Sequence, residues 1–173
     1  MNNTYSKQIT MQINSKKLNQ IGEILSNGGY KLALAESMPA GYFSSIWSLQ
    51  TESGDYFEGS IVCYSENVKV QVLKVSKLLI DQFSAESIEV TEAMLNGLTH
   101  LIKADVYISI TGKAFADSNK ICKNEVGEVF ISACFKGQIK SYKYKYKANH
   151  AAEVFIQAFN SSLDILESEL KNN

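Results

Sequence analysis

Ser37, Tyr64 and Lys69 are the residues with which this chain could do covalent chemistry. Ser37 comes just after the apolar run at 30–35 (YKLALA). Tyr64 ends the run at 60–64 (SIVCY), with Lys69 shortly beyond it, and Thr111-Gly112 close a third run at 105–110 (DVYISI). In a layered α/β fold, ligands collect where strands end and helices begin. A hydroxyl placed there stands beside helix N–H groups able to cradle a phosphate or an oxyanion. A serine nucleophile also needs a base. His100 falls inside a helical pattern and His150 near a helix start, neither in a triad arrangement. A lysine sheltered beside the serine is the remaining choice, because desolvation and nearby positive charge lower its pKa. Ser37 with Lys69 as base, and Tyr64 orienting or relaying the proton, would suit hydrolysis of an amide through an acyl-enzyme. Taken singly, each signal has a plainer reading: serine caps helices, and an isolated lysine is usually a solvated surface group.

The elements that must position these groups are legible from periodicity. Residues 1–13 alternate weakly and read as a tail or short edge strand; residues 14–173 read as one domain. Leu18, Ile21, Ile24 and Leu25 share a helical face that ends at Asn27-Gly28-Gly29. A second helix is expected to begin at Pro39, where a missing N–H costs least. Residues 50–60 read as a polar loop, 66–72 and 78–83 as short helical turns, and 91–103 as a clear helix. After a polar connection over 113–125, residues 126–135 and 139–146 form a hairpin turning at Lys136-Gly137, followed by a helix over 149–169. The expected fold is α/β, a single three-layer α/β/α domain whose central mixed sheet includes a C-terminal antiparallel hairpin.

Composition narrows the partners. The 173 residues carry a net charge of -1, which gives no global positive field for nucleic acid or an anionic bilayer. No apolar run reaches the roughly 18 residues of a membrane helix, so the expectation is a cytoplasmic protein without a membrane partner. Cys63, Cys122 and Cys134 are too few and too scattered for a disulfide framework or a zinc site; Cys63 and Cys134 read as small core residues. All 17 basic residues are Lys. An anion bound here meets no bidentate guanidinium fork. The run at 140–147 (KSYKYKYK) has the aromatic–basic look of a nucleic-acid site. Its two-residue period, however, sends tyrosines to one face and lysines to the other, as in an amphipathic edge strand, so nucleic acid is not the expected partner.

Four blocks, in order and spacing over nearly the whole chain, resemble the C-terminal domain family of competence/damage-inducible CinA, the nicotinamide mononucleotide amidohydrolase family. Its A-E-S-C-T-G-G is similar to residues 35–41 (AESMPAG), and its G-x-V-x-Y-S-N-x-x-K to residues 59–69 (GSIVCYSENVK), with one residue of spacing changed. Its T/S-G-I-A-G-P is similar to residues 111–116 (TGKAFA), and its P-V-G-T-V to residues 125–129 (EVGEV). The resemblance implies hydrolysis of nicotinamide mononucleotide, or a related amide, to the acid and ammonia without metal or cofactor. Ser37 would attack, Lys69 would act as base and Tyr64 would assist. It implies substrate contacts from Glu36, Ala40, Gly41, Thr111, Gly112 and His150, the last standing near the place of the family's missing arginine. It implies a small-molecule nucleotide as partner, the stand-alone form of the domain, and a homo-oligomer. The family's Thr-Gly-Gly is here Pro39-Ala40-Gly41, and the third block's Gly-Pro is Phe115-Ala116. Those altered turns keep an alternative reading in view: a diverged, non-catalytic member serving as a binding or structural module.

Overall fold

A computed structural model describes residues 11–115 and 125–171. Cys122, Ala116, most of the polar connection and most of the N-terminal segment lie outside the described residues. Residues 11–14, where an edge strand was one expectation, form none.

Helix α1 (Ser15–Gly28) is capped by the Asn14 side chain, which accepts from Lys17 N–H, and ends at Gly29 with φ 65°, a left-handed stop. Strand β1 (Leu32–Glu36) leads through a turn to α2 (Tyr42–Ser48), then α3 (Ser53–Tyr56) and β2 (Phe57–Val62). Helices α4 (Glu66–Gln71), α5 (Lys77–Phe83) and α6 (Ile88–Leu101) precede β3 (Val106–Gly112). The hairpin of β4 (Glu128–Phe135) and β5 (Gln138–Lys145) is followed by α7 (Ala151–Lys171). The hairpin turns on Lys136 and Gly137 at φ 49° and 77°, the left-handed pair that matches strand twist.

The sheet has the order β2-β1-β3-β4-β5, with β1 parallel to both β2 and β3 and the last two strands antiparallel. Alternation along the strands divides the core in two. Leu32, Leu34, Val106, Ile108, Ile110 and Ile131 pack with residues of α1, α2 and α7, including Trp47, Phe43 and Phe159. Phe43 and Phe159 meet edge to face at 5.0 Å, a preferred aromatic geometry. On the other face, Ala33 and Ala35 keep the sheet surface low beneath Val90, Met94, Leu95 and Leu98 of α6. Tyr142 and Tyr144 of β5, and Tyr146 just beyond it, pack inward while Lys143 and Lys145 are exposed, as the two-residue period requires. Among the described residues, no helix is long and apolar enough to cross a membrane.

Several boundaries differ by two or three residues from the sequence expectation, among them those of α6, β4 and α7, and at two places the local structure differs as well. Residues 53–56 of the expected loop form α3, and β2 begins at Phe57. Pro39 does not open α2: the Met38–Pro39 peptide is cis, Ala40 and Gly41 follow at φ 58° and 97°, and the helix starts at Tyr42. Two consecutive left-handed residues cannot belong to a right-handed helix, so its first turn is displaced.

The α4–α6 layer closes tightly. A Cβ added at Gly97 would lie 2.1 Å from the Leu73 carbonyl oxygen, a backbone atom with no rotamer to yield. Gly97→Ala should therefore cost about 1–3 kcal/mol from overpacking, against the smaller gain in helix propensity. Urea unfolding measures it; an unchanged or raised midpoint would mean that α6 can shift away from Leu73.

Candidate functional site

Strand β1 lies between β2 and β3, and the chain leaves it in opposite senses. It reaches β2 through α2 and α3, whose α2 packs on one face, and then returns past β1 to β3 through α4–α6 on the other face. Connections that diverge this way open a crevice beyond the carboxyl ends of the strands. Ser37 is the first residue past β1 and stays in register, its N–H donating to Ile110 O at 3.0 Å. Lys69 arrives from the neighbouring element. After β2, Cys63 N–H donates to Glu36 O at 2.8 Å, and Ser65 then caps α4 by accepting from Val68 N–H. Helical side chains lean toward the N-terminus, which carries Lys69 back over the strand ends.

The two groups meet. Lys69 Nζ is 2.8 Å from Ser37 Oγ, 3.1 Å from Cys63 O and 3.3 Å from Tyr64 O. Lys69 is 1% exposed and Ser37 5%. Two carbonyls take two N–H groups of the amine, which leaves its third direction for Ser37. An ammonium would donate there; a neutral amine would accept the serine proton. Burial pushes the Lys69 amine below lysine's ordinary value, opposed more weakly by negative charge from Cys63, Glu86 and Glu66. The Cys63 thiol is itself pushed up to about 11 by burial, so at neutral pH it contributes no thiolate. No carboxylate lies within ion-pair distance of Nζ among the described residues.

A cleft of about 180 Å³ opens over this pair, walled by Ser37, Met38, Tyr64, Glu86 and Gly112 through Phe115. Tyr64 and Phe115, 56% and 55% exposed, are the two aromatic residues of its wall. The Tyr64 phenol bonds neither Ser37 nor Lys69; it is the residue's carbonyl that holds the amine.

Several expected substrate contacts are placed elsewhere. Glu36 is fully buried and turned away from the cleft. Its carboxylate accepts from the N–H groups of Gly41, Phe43 and Ser44 at 2.8–3.0 Å and from Ser60 Oγ at 3.3 Å. The backbone at Ala40 and Gly41 is correspondingly committed: Ala40 N–H goes to Ser37 O and Gly41 N–H to Glu36, so this helix start offers no phosphate cradle. Thr111 is fully buried with its hydroxyl 2.7 Å from that of Thr91 on α6; its chain neighbour Gly112 reaches the cleft. His150 is exposed just before α7 and is absent from the cleft wall. The wall residues that were not among the candidates are Met38, Glu86, Lys113, Ala114 and Phe115. Their signal was positional, since each adjoins a strand end or a helix cap already singled out. Among the described residues, no three His, Cys, Asp or Glu side chains are grouped to hold a metal ion.

Comparison with known proteins agrees with this architecture. The CinA C-terminal domain family matches residues 14–170. A CinA-like protein of Syntrophomonas wolfei is 31% identical over 159 residues, covering 92% of this chain and 38% of its own length. One from Flavobacterium psychrophilum is 32% identical over 154 residues, covering 88% and 36%. The chain thus spans about a third of the length of the curated relatives it matches. The solved CinA superfamily protein of Klebsiella pneumoniae 700603 superimposes with a TM-score of 0.87 at 23% identity, over 94% of this chain and all of that one. Its counterpart from Enterobacter cloacae gives 0.85 at 23% identity over 98% of both. With the shared fold, the match across almost every described residue and the relatives above 30% identity all agreeing, the chain belongs to the CinA C-terminal domain family.

Proposed function

We propose that the cleft is the active site of an amidohydrolase that converts nicotinamide mononucleotide to nicotinate mononucleotide and ammonia by a serine–lysine mechanism. The observation that carries this reading is the 2.8 Å contact between Ser37 Oγ and a buried Lys69 Nζ. Ser37 Oγ attacks the carboxamide carbon as neutral Lys69 takes its proton, forming a tetrahedral intermediate. Lys69 then returns that proton to the leaving nitrogen, the C–N bond breaks, and an ester to Ser37 remains with free ammonia. Water, deprotonated by the same amine, cleaves the ester to the acid and restores Ser37. The Met38 N–H, next to the nucleophile and engaged by no hydrogen bond among the described residues, would receive the developing oxyanion. Tyr64 and Phe115, the aromatic residues of the wall, would pack against the pyridine.

Ammonia release from nicotinamide mononucleotide across pH 6–10 tests the proposal. Because only the free amine can accept a proton, kcat/KM should rise with pH through an apparent pKa below lysine's 10.5. Turnover that is absent throughout this range at high enzyme concentration would leave the non-catalytic reading of the domain.

A further inference from the structure

We infer that the Lys113 ammonium holds the anionic group of the substrate, an inference that rests on the amidohydrolase reading of the cleft. Lys113 directly follows Gly112 at the end of β3 and lines the same cleft as Ser37. Its backbone is fixed on both sides: its N–H donates to Glu128 O at 2.9 Å, and its carbonyl accepts from Gly127 N–H at 2.7 Å. The side chain therefore springs from a rigid strand end. Lys140, Lys143 and Lys145 are each held in ion pairs, whereas the Lys113 ammonium has no ion pair or hydrogen bond among the described residues.

Among the described residues, other ways of holding an anion at this cleft are closed. The first N–H groups of α2 are taken by the Glu36 carboxylate, which adds negative charge where a phosphate would sit. The first turn of α6 is engaged by Ser87, and Glu86 stands ahead of it in the cleft wall. The chain contains no arginine. Lys69, buried and bonded to Ser37, is committed to the reacting atoms. A cleft of about 180 Å³ accommodates a carboxamide ring but not a whole nucleotide, which normally needs several hundred Å³. The charged tail must lie along the wall, where Lys113 is the one cation among the described residues. An ammonium there binds phosphate as a point charge.

Calorimetric titration separates this from the catalytic proposal, because the product acid is not turned over. Nicotinate mononucleotide and nicotinate riboside, which lacks the phosphate, are titrated into the wild-type protein, Lys113→Gln and Lys113→Arg. The phosphate should improve wild-type affinity about tenfold, as one charged hydrogen bond does. Lys113→Gln should abolish that advantage while leaving riboside binding unchanged, and Lys113→Arg should restore it. Equal wild-type affinity for the two compounds, binding of neither, or an advantage surviving in Lys113→Gln each overturns the inference. Ammonia release judges the amidohydrolase reading on its own.

Discussion

Lys69→Met should lower ammonia release from nicotinamide mononucleotide by about 10³-fold or more, and Ser37→Ala by at least as much. The double variant should be no worse than either single one, since nucleophile and base act as a unit. Methionine suits the test because it fills nearly the same unbranched volume without a titrating group. The carbonyls of Cys63 and Tyr64 lose their donor in this variant. Against that loss, the cost of keeping a charged amine out of water disappears, so stability should stay within about 2 kcal/mol of wild type. The pH dependence of stability supplies a second readout. Burial lowers the folded-state pKa of Lys69 below the unfolded value near 10.5. Between those two values the unfolded chain binds the extra proton, so wild-type stability climbs as pH rises through that window, and below it the full penalty applies. Lys69→Met should flatten this climb. A variant that keeps turnover would place the base elsewhere, and one that keeps the climb would assign the titration to another group.

The parts of the fold that were readable share one property: their cause is local. The tyrosine–lysine alternation of β5, the left-handed glycine after α1 and the two-residue turn at Lys136-Gly137 each depend on neighbours within a few residues. The serine–lysine pair was legible for a related reason. Each member sits just past a strand end, and parallel neighbouring strands bring those ends together. What escaped depends on contacts across space. Pro39 was expected at a helix start because capping rules look at the residues adjoining a helix. Here the cap is Glu36, a strand residue whose carboxylate reaches three N–H groups beyond the intervening turn. Thr111 carries a polar side chain at a strand end, yet the pleat turns it toward α6 and leaves the cleft to Gly112. Nothing in the alternation of 105–112 distinguishes a hydroxyl bonded to Thr91 from one offered to a ligand.

Glu36→Ala should destabilise the protein by roughly 3–5 kcal/mol, the second large effect the structure implies. The carboxylate is fully buried, with four donors around it and no basic partner among the described residues: the N–H groups of Gly41, Phe43 and Ser44, and Ser60 Oγ. Negative charge at the start of a helix is favoured by the backbone dipoles, although α2 is short. Alanine removes every acceptor at once and leaves backbone donors facing a cavity. Glu36→Gln keeps one acceptor oxygen but turns an NH₂ toward N–H groups, so it should cost roughly half as much. For a chain of this size the alanine variant should melt about 10 °C lower or more. The measurement also decides between two roles for the residue. A side chain whose work is to contact substrate would raise KM with little change in the urea midpoint. One that closes α2 lowers the midpoint first, and disturbs turnover only because Ser37 is the next residue along the chain. A loss below about 1 kcal/mol in Glu36→Ala would mean that the helix start is satisfied by other groups and that Glu36 does not close this end of α2 to phosphate.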